Sequence, residues 1–220
     1  MTNNQEERPS YPTLAIHSTD NSFCFGYRKN INFHPDKLFI KKFDNDLCNN
    51  LIHDLNKFIS KENLQKVNKI SVSIGPANFN ASRLIVVLAR TISQQINCPL
   101  VSFTSFEIMA KRIASKNNIF TNKQSFWIYK KLKRKGFIAG KYEICHDEQK
   151  KTDMVDLVVR ETVLPKVIQE FDSKEVFYEA NYKDKEDLKE LLDLSTKNLS
   201  NTNKNSWQKV FPLYPISPIN

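Results

Sequence analysis

Between Lys69 and Ala114 the apolar residues change period in an order that few folds can use. Ile70, Val72 and Ile74 alternate with Ser71 and Ser73, the two-residue repeat of a strand. Gly75-Pro76 stops that strand, because proline removes a ladder donor and glycine frees the backbone. The polar turn Asn78 to Ser82 offers helix caps. From Arg83 to Ile96 the residues Ile85, Leu88, Ala89, Ile92 and Ile96 share one helical face. Asn97-Cys98-Pro99 ends that helix, Leu100-Val101 opens a second strand, and Ser105 caps a helix carrying Phe106, Met109, Ala110 and Ile113. Strand, helix, strand, helix is a right-handed crossover unit of a largely parallel sheet.

What precedes this unit reads as a meander. Thr13 to His17, Ser22 to Tyr27 and Lys37 to Phe43 are short strands, with turn residues Ser18 to Asn21 between the first two. Asp46 to Ser60 is helical, with Leu47, Leu51, Leu55 and Phe58 in a stripe. Residues 1–12 are polar and read as a disordered tail. Three antiparallel strands followed by αβαβα make an N-terminal lobe over 13–115, leaving a small second lobe over 116–220. In that second part Ser125 to Ile144 reads as a hairpin turning near Lys135-Gly136. Strands at Met154 to Arg160 and Val176 to Tyr178, helices at Leu164 to Phe171 and Asp184 to Asn198, and a polyproline-like strap from Trp207 to Asn220 complete the expectation.

The chemistry-bearing residues exclude several classes. No apolar run approaches a membrane span and the start of the chain is polar, so neither a signal peptide nor a membrane contact is expected. Cys24, Cys48, Cys98 and Cys145 lie far apart, which suits neither a zinc site nor a disulfide framework and points to reduced thiols in a cytoplasmic protein. His17, His34, His53 and His146 show no metal-ligand spacing. Cys145 and His146 would point to opposite faces of a strand and cannot form a dyad there. Only four glycines occur, and only Gly75 sits at a strand-to-helix turn, so a set of phosphate-cradling loops is not available. No catalytic residue, metal or cofactor is assigned.

The central stretch resembles the bacterial TsaB (YeaZ) family, whose usual form is GPGSFTGLRIG, a helix, then PL and a Ser-Glu-Ala helix. Gly75, Pro76, Phe79 and Arg83 match position by position, and Leu100, Val101, Ser105 and Glu107 continue the match. Ala77, Ala81 and Ile85 replace family glycines, so the chain reads as a divergent member. The resemblance implies a ribonuclease-H-like, actin-type ATPase lobe. It also implies a role in forming threonylcarbamoyladenosine in tRNA beside the anticodon. There TsaD transfers the group, TsaC makes the donor, TsaE is an ATPase and TsaB is a non-catalytic platform. TsaD would be the heterodimer partner, TsaE a further one, tRNA would be met through the complex, and a homodimer is the alternative pairing. TsaB relatives typically carry LAIDTS at the first strand end; here LAIHST puts His17 in place of the acid, and an imidazole cannot replace a carboxylate on a metal.

Two surfaces remain open at this stage. Leu84 to Ala89 is apolar without interruption, more than one sheet-facing stripe requires. The surplus, Leu84, Val86 and Val87, is covered either by the helix of Leu51 and Leu55 or by a partner. Family resemblance implies the partner, since the equivalent helices of TsaB pack on those of TsaD. The hairpin carries Lys130, Lys131, Lys133 and Arg134 interleaved with Trp127, Tyr129, Phe137 and Tyr142. With a formal charge of +9, that composition suits RNA phosphates and bases, while an aggregation-blocking edge hairpin uses the same residues. An actin-type nucleotide-binding enzyme and an RNA-binding module are therefore the alternatives to a scaffold.

Overall fold

The computed structural model describes residues 12–30, 36–43, 47–116, 124–133, 136–146, 157–172, 174–197 and 206–215. Five strands form the first sheet: β1 (Thr13–Ser18), β2 (Ser22–Arg28), β3 (Lys37–Lys42), β4 (Lys69–Ser73) and β5 (Leu100–Phe103). Their order is β3-β2-β1-β4-β5. β1 pairs antiparallel with β2, and β1, β4 and β5 run parallel. This is the meander followed by crossover units that the periodicity implies, the ribonuclease-H-like order.

Alternation along the strands divides the residues between two layers. Leu14, Ile16, Ile70 and Val72 meet α1 (Leu47–Phe58) and α3 (Phe79–Ile96) through Leu51, Leu55, Ile85, Val86 and Ala89. Ala15 and Cys24 on the other face meet α5 (Asp184–Lys197) through Leu188, Leu191 and Leu192. Gly26 permits that approach, since a Cβ there would lie 3.0 Å from Leu192 Cδ1. α3 begins at Phe79, a turn earlier than the apolar stripe implies, because the Asn78 side chain caps it by accepting from the Ala81 N–H at 3.1 Å. Asn97, left-handed at φ 52°, ends it. A short helix, α2 (Lys61–Gln65), capped by Ser60, has too few apolar residues to leave a periodic signal.

The second sheet has the order β8-β7-β6-β9, built from β6 (Ser125–Lys131), β7 (Phe137–His146), β8 (Leu157–Ile168) and β9 (Phe177–Glu179). The hairpin is as expected, with Gly136 at φ 58° and its missing Cβ leaving room for the Ile168 carbonyl. The helix expected over Leu164 to Phe171 is instead the end of β8. β8 lies at the sheet edge, and Pro165 falls where its register with β7 slips between Ala139 and Lys141, a position that tolerates proline.

α4 (Ser105–Lys116) joins the two sheets. Phe106, Met109 and Ala110 pack on Phe126, Ile128 and Tyr142 of the second sheet, while Ile108 reaches the cluster beneath α5. The reading that assigns 116–220 to a second lobe separates the sheets, but α5 and the strap lie on the first sheet. The strap opens with a 3-10 turn at Ser206–Lys209 where extended chain was expected, and 216–220 lie outside the described residues. Ion pairs fix α5: Arg112 Nε bonds Asp187 Oδ1 at 2.6 Å with both side chains buried, and Arg28 reaches Asp193 at 2.8 Å. Replacing Arg112 by Met strands the Asp187 carboxylate in the core. The expected loss in urea unfolding is about 3 kcal/mol, with Asp187→Asn in the same chain recovering part of it.

Candidate functional site

In a phosphate-binding lobe of this topology the ligand would face the ends of β1 and β4, the β1–β2 turn and the start of α3. Four backbone N–H groups at that place are bonded within the protein. Thr19 closes the turn: its N–H donates to the Ser22 carbonyl at 2.9 Å, and its hydroxyl accepts the Asn21 and Ser22 N–H groups at 3.3 and 3.1 Å. The Ser18 N–H donates to Ser73 Oγ at 3.2 Å. Asp20 holds the Lys130 ammonium at 2.5 and 2.6 Å, bridging the turn to the second sheet. These amides are therefore consumed by the turn and unavailable to an anion.

His17 stands at the end of β1, 1% exposed, opposite Cys24. Neither ring nitrogen has a hydrogen-bond partner among the described residues. Burial lowers its pKa, against the opposing pull of Asp187 and Asp184, so the ring is neutral and no metal-binding acid stands there. Burial likewise pushes the Cys98 thiol up to about 12 and Cys24 higher. Cys24, Cys98 and Cys145 are free thiols; the Cys48 and His146 side chains lie outside the described residues. No group of three potential ligands for a metal ion occurs among the described residues.

Of the motif residues, Gly75 adopts φ 99°, and its carbonyl accepts the Ser105 N–H at 2.7 Å. The Gly75-Pro76 peptide is cis, and the Pro76 carbonyl accepts the Tyr182 hydroxyl. Phe79 packs tilted against Tyr214, ring centroids 5.2 Å apart, and the Arg83 guanidinium lies over the Phe79 ring at 5.3 Å. Pro76, Phe79, Tyr214 and Ile138 line a cleft of about 140 Å³. The motif thus fastens the β4–α3 turn to α4, the strap and the second sheet.

The proposed surfaces separate sharply. Leu51, Leu55 and Val86 are buried in the protein's own core and Leu84 is half-buried against it, so helix packing covers most of the surplus. Val87 does remain outside, at 60% exposed, as does Ile52 of α1 at 63%. In the hairpin, Lys130 is paired with Asp20 and Lys141 with Glu175, and Tyr142 points into the core. Lys131 and Lys133 are exposed, and Arg134 lies outside the described residues.

The sequence reading missed a buried acidic joint. Glu161 accepts the Thr104 hydroxyl at 2.7 Å and the Tyr142 hydroxyl at 2.9 Å, and Glu107 lies close enough to feel its charge. Burial, then the Glu161 charge, raises the Glu107 pKa to about 8. A Glu raised in the folded state costs stability progressively as pH climbs from the unfolded value through the folded one. His17 slopes the other way, its contribution complete above its unfolded value of 6.5 and lost as pH falls. Glu107→Gln is therefore expected to leave stability nearly unchanged near pH 4 and to raise it by about 4 kcal/mol at pH 8. Urea unfolding at the two pH values checks this.

Neither a protein-family model nor a curated protein sequence matches the chain. Solved structures do. One, from Pseudomonas aeruginosa, is described as an uncharacterized protein with similarity to peptidase YeaZ; it aligns over 94% of this chain and 100% of its own, with TM-score 0.62 and 12% identity. YeaZ from Pseudomonas aeruginosa aligns over 93% of this chain and 99% of its own, with TM-score 0.60 and 12% identity. Both sheets, the linking helix and the returning α5 therefore belong to one shared architecture, and the chain has the fold of the YeaZ proteins.

Proposed function

We propose that this chain is a divergent TsaB-type subunit that performs no chemistry itself and holds a TsaD paralogue in its working form for threonylcarbamoyladenosine synthesis in tRNA. The observation that carries the reading is the engaged ATPase position: turn amides bonded internally, a neutral His17 at the strand end, and Lys130–Asp20 tying the sheets across it. Such a lobe acts through its surface. The full-length likeness to YeaZ structures supports the same role, and the outward Val87 and Ile52 lie on the helix pair that TsaB relatives use for TsaD.

In this reading tRNA is met through the complex, with TsaE as a further partner. No helix among the described residues is long and apolar enough to cross a membrane. Internal engagement of the turn counts against a nucleotide-binding enzyme. Pairing of Lys130 and Lys141 with carboxylates withdraws two cations from the RNA-binding alternative.

Mixing the chain with TsaD from the same organism is expected to give a one-to-one complex by light scattering. Val87→Asp places a charge on the outer face of α3 without touching the core, so it should weaken the complex at least about tenfold and leave the thermal midpoint unchanged. Undiminished binding by this variant overturns the interface, and TsaD that remains alone in the presence of the wild-type chain overturns the role.

A further inference from the structure

The outer face of α3 carries more than an apolar residue. Arg83, Val87 and Arg90 recur at helical spacing on it, and the strap 206–215 lies alongside. The Arg90 guanidinium sits 4.9 Å from the Phe211 ring and 5.9 Å from that of Trp207, as Arg83 sits over Phe79. Neither guanidinium is in an ion pair among the described residues. A guanidinium held over a ring by cation–π attraction leaves its N–H donors for a carboxylate, which can take two bonds from it.

Among the described residues no acid interrupts this surface. α3 contains no Asp or Glu, nor does 206–215, where Lys209 adds a further exposed cation. On α1 the outward residues Ile52, His53, Asn56 and Lys57 are likewise without a carboxylate, and Asp54 is buried and held by Lys41 at 2.9 Å. A two-fold pairing of two copies through α3 would bring the same cations face to face. Like charges across an interface disfavour that partner, and opposite charges select another.

Resting on the partner role proposed above, we infer that the α3–strap face is built for a different protein that presents carboxylates around an apolar contact, and against a second copy of this chain. Phe211, 58% exposed on the strap, extends the contact beyond Val87.

The test is titration calorimetry of the full-length chain with the TsaD homologue of its own genome, at about 50 and about 300 mM salt. Wild type is expected to bind about tenfold more tightly at the lower salt. Arg83→Glu with Arg90→Glu should weaken binding at least about tenfold, with the fold kept by circular dichroism, while Arg83→Lys with Arg90→Lys recovers part of the affinity. The free chain should sediment as a monomer. Intact binding by the double Glu variant, with binding lost in Val87→Asp, overturns the charge inference and leaves the partner role standing. A wild-type dimer broken by Val87→Asp overturns it in favour of self-association. Binding of tRNA, and not of the protein, lost in the double Glu variant overturns it in favour of RNA. Absence of any complex overturns both readings.

Discussion

The buried pair between Arg112 and Asp187 is the contact on which the two sheets depend. Arg112 belongs to the helix that rides on the second sheet, and Asp187 to the helix that returns to cover the first. The same guanidinium donates to the Asn181 carbonyl at 2.5 Å, and Asp187 accepts the Lys183 N–H at 2.7 Å, so both ends of the pair also fix backbone. A desolvated charge pair contributes little net energy, but losing one partner is costly, and this makes the packing specific. Once α5 is seated, Leu188 and Leu192 close over Gly26 and the first sheet is covered on both faces.

That seating also settles what becomes of the space between the sheets. Lys130 reaches Asp20, Tyr182 reaches the Pro76 carbonyl, and Thr104 and Tyr142 hold Glu161. The first two are bonds of the protein to itself at the β1–β2 and β4–α3 turns, and the third joins α4 to the second sheet. Polar groups buried there need partners, and the chain supplies them internally. The His17 ring has no partner among the described residues, and burial keeps it neutral. On the function proposed above, the working surface is the outside of the first sheet, at α1, α3 and residues 206–215.

The first sheet was legible because its signals are local. The alternation of Ile70, Val72 and Ile74, the stop at Gly75-Pro76 and the stripe of α3 each fall within one turn or strand. The site was less so. Leu84 to Val87 forms one apolar run, yet Val86 is buried and Val87 is outward, because adjacent residues on a helix differ by about 100°. Composition cannot divide such a run; only the neighbouring helix can. The joint of Glu107 and Glu161 joins residues far apart in the chain, and no spacing rule connects them. β8 runs on through Leu164–Ile168, where a helix was expected, and its Pro165 is tolerated because edge position depends on strand order, which no local pattern carries. The lysines of the hairpin were visible, but their carboxylate partners at Asp20 and Glu175 were not, since both come from outside it.

The central claim is that a lobe with a self-engaged cleft serves a tRNA-modifying partner without doing chemistry. Reconstitution with the TsaC, TsaD and TsaE homologues of the same organism tests it most directly, with threonylcarbamoyladenosine in tRNA hydrolysates measured by mass spectrometry. The account predicts that the modified nucleoside forms only when this chain is present, and forms equally well when Asp20 and Lys130 are exchanged for one another to keep the bridge across the cleft. Modification that proceeds at the same rate without the chain would contradict it.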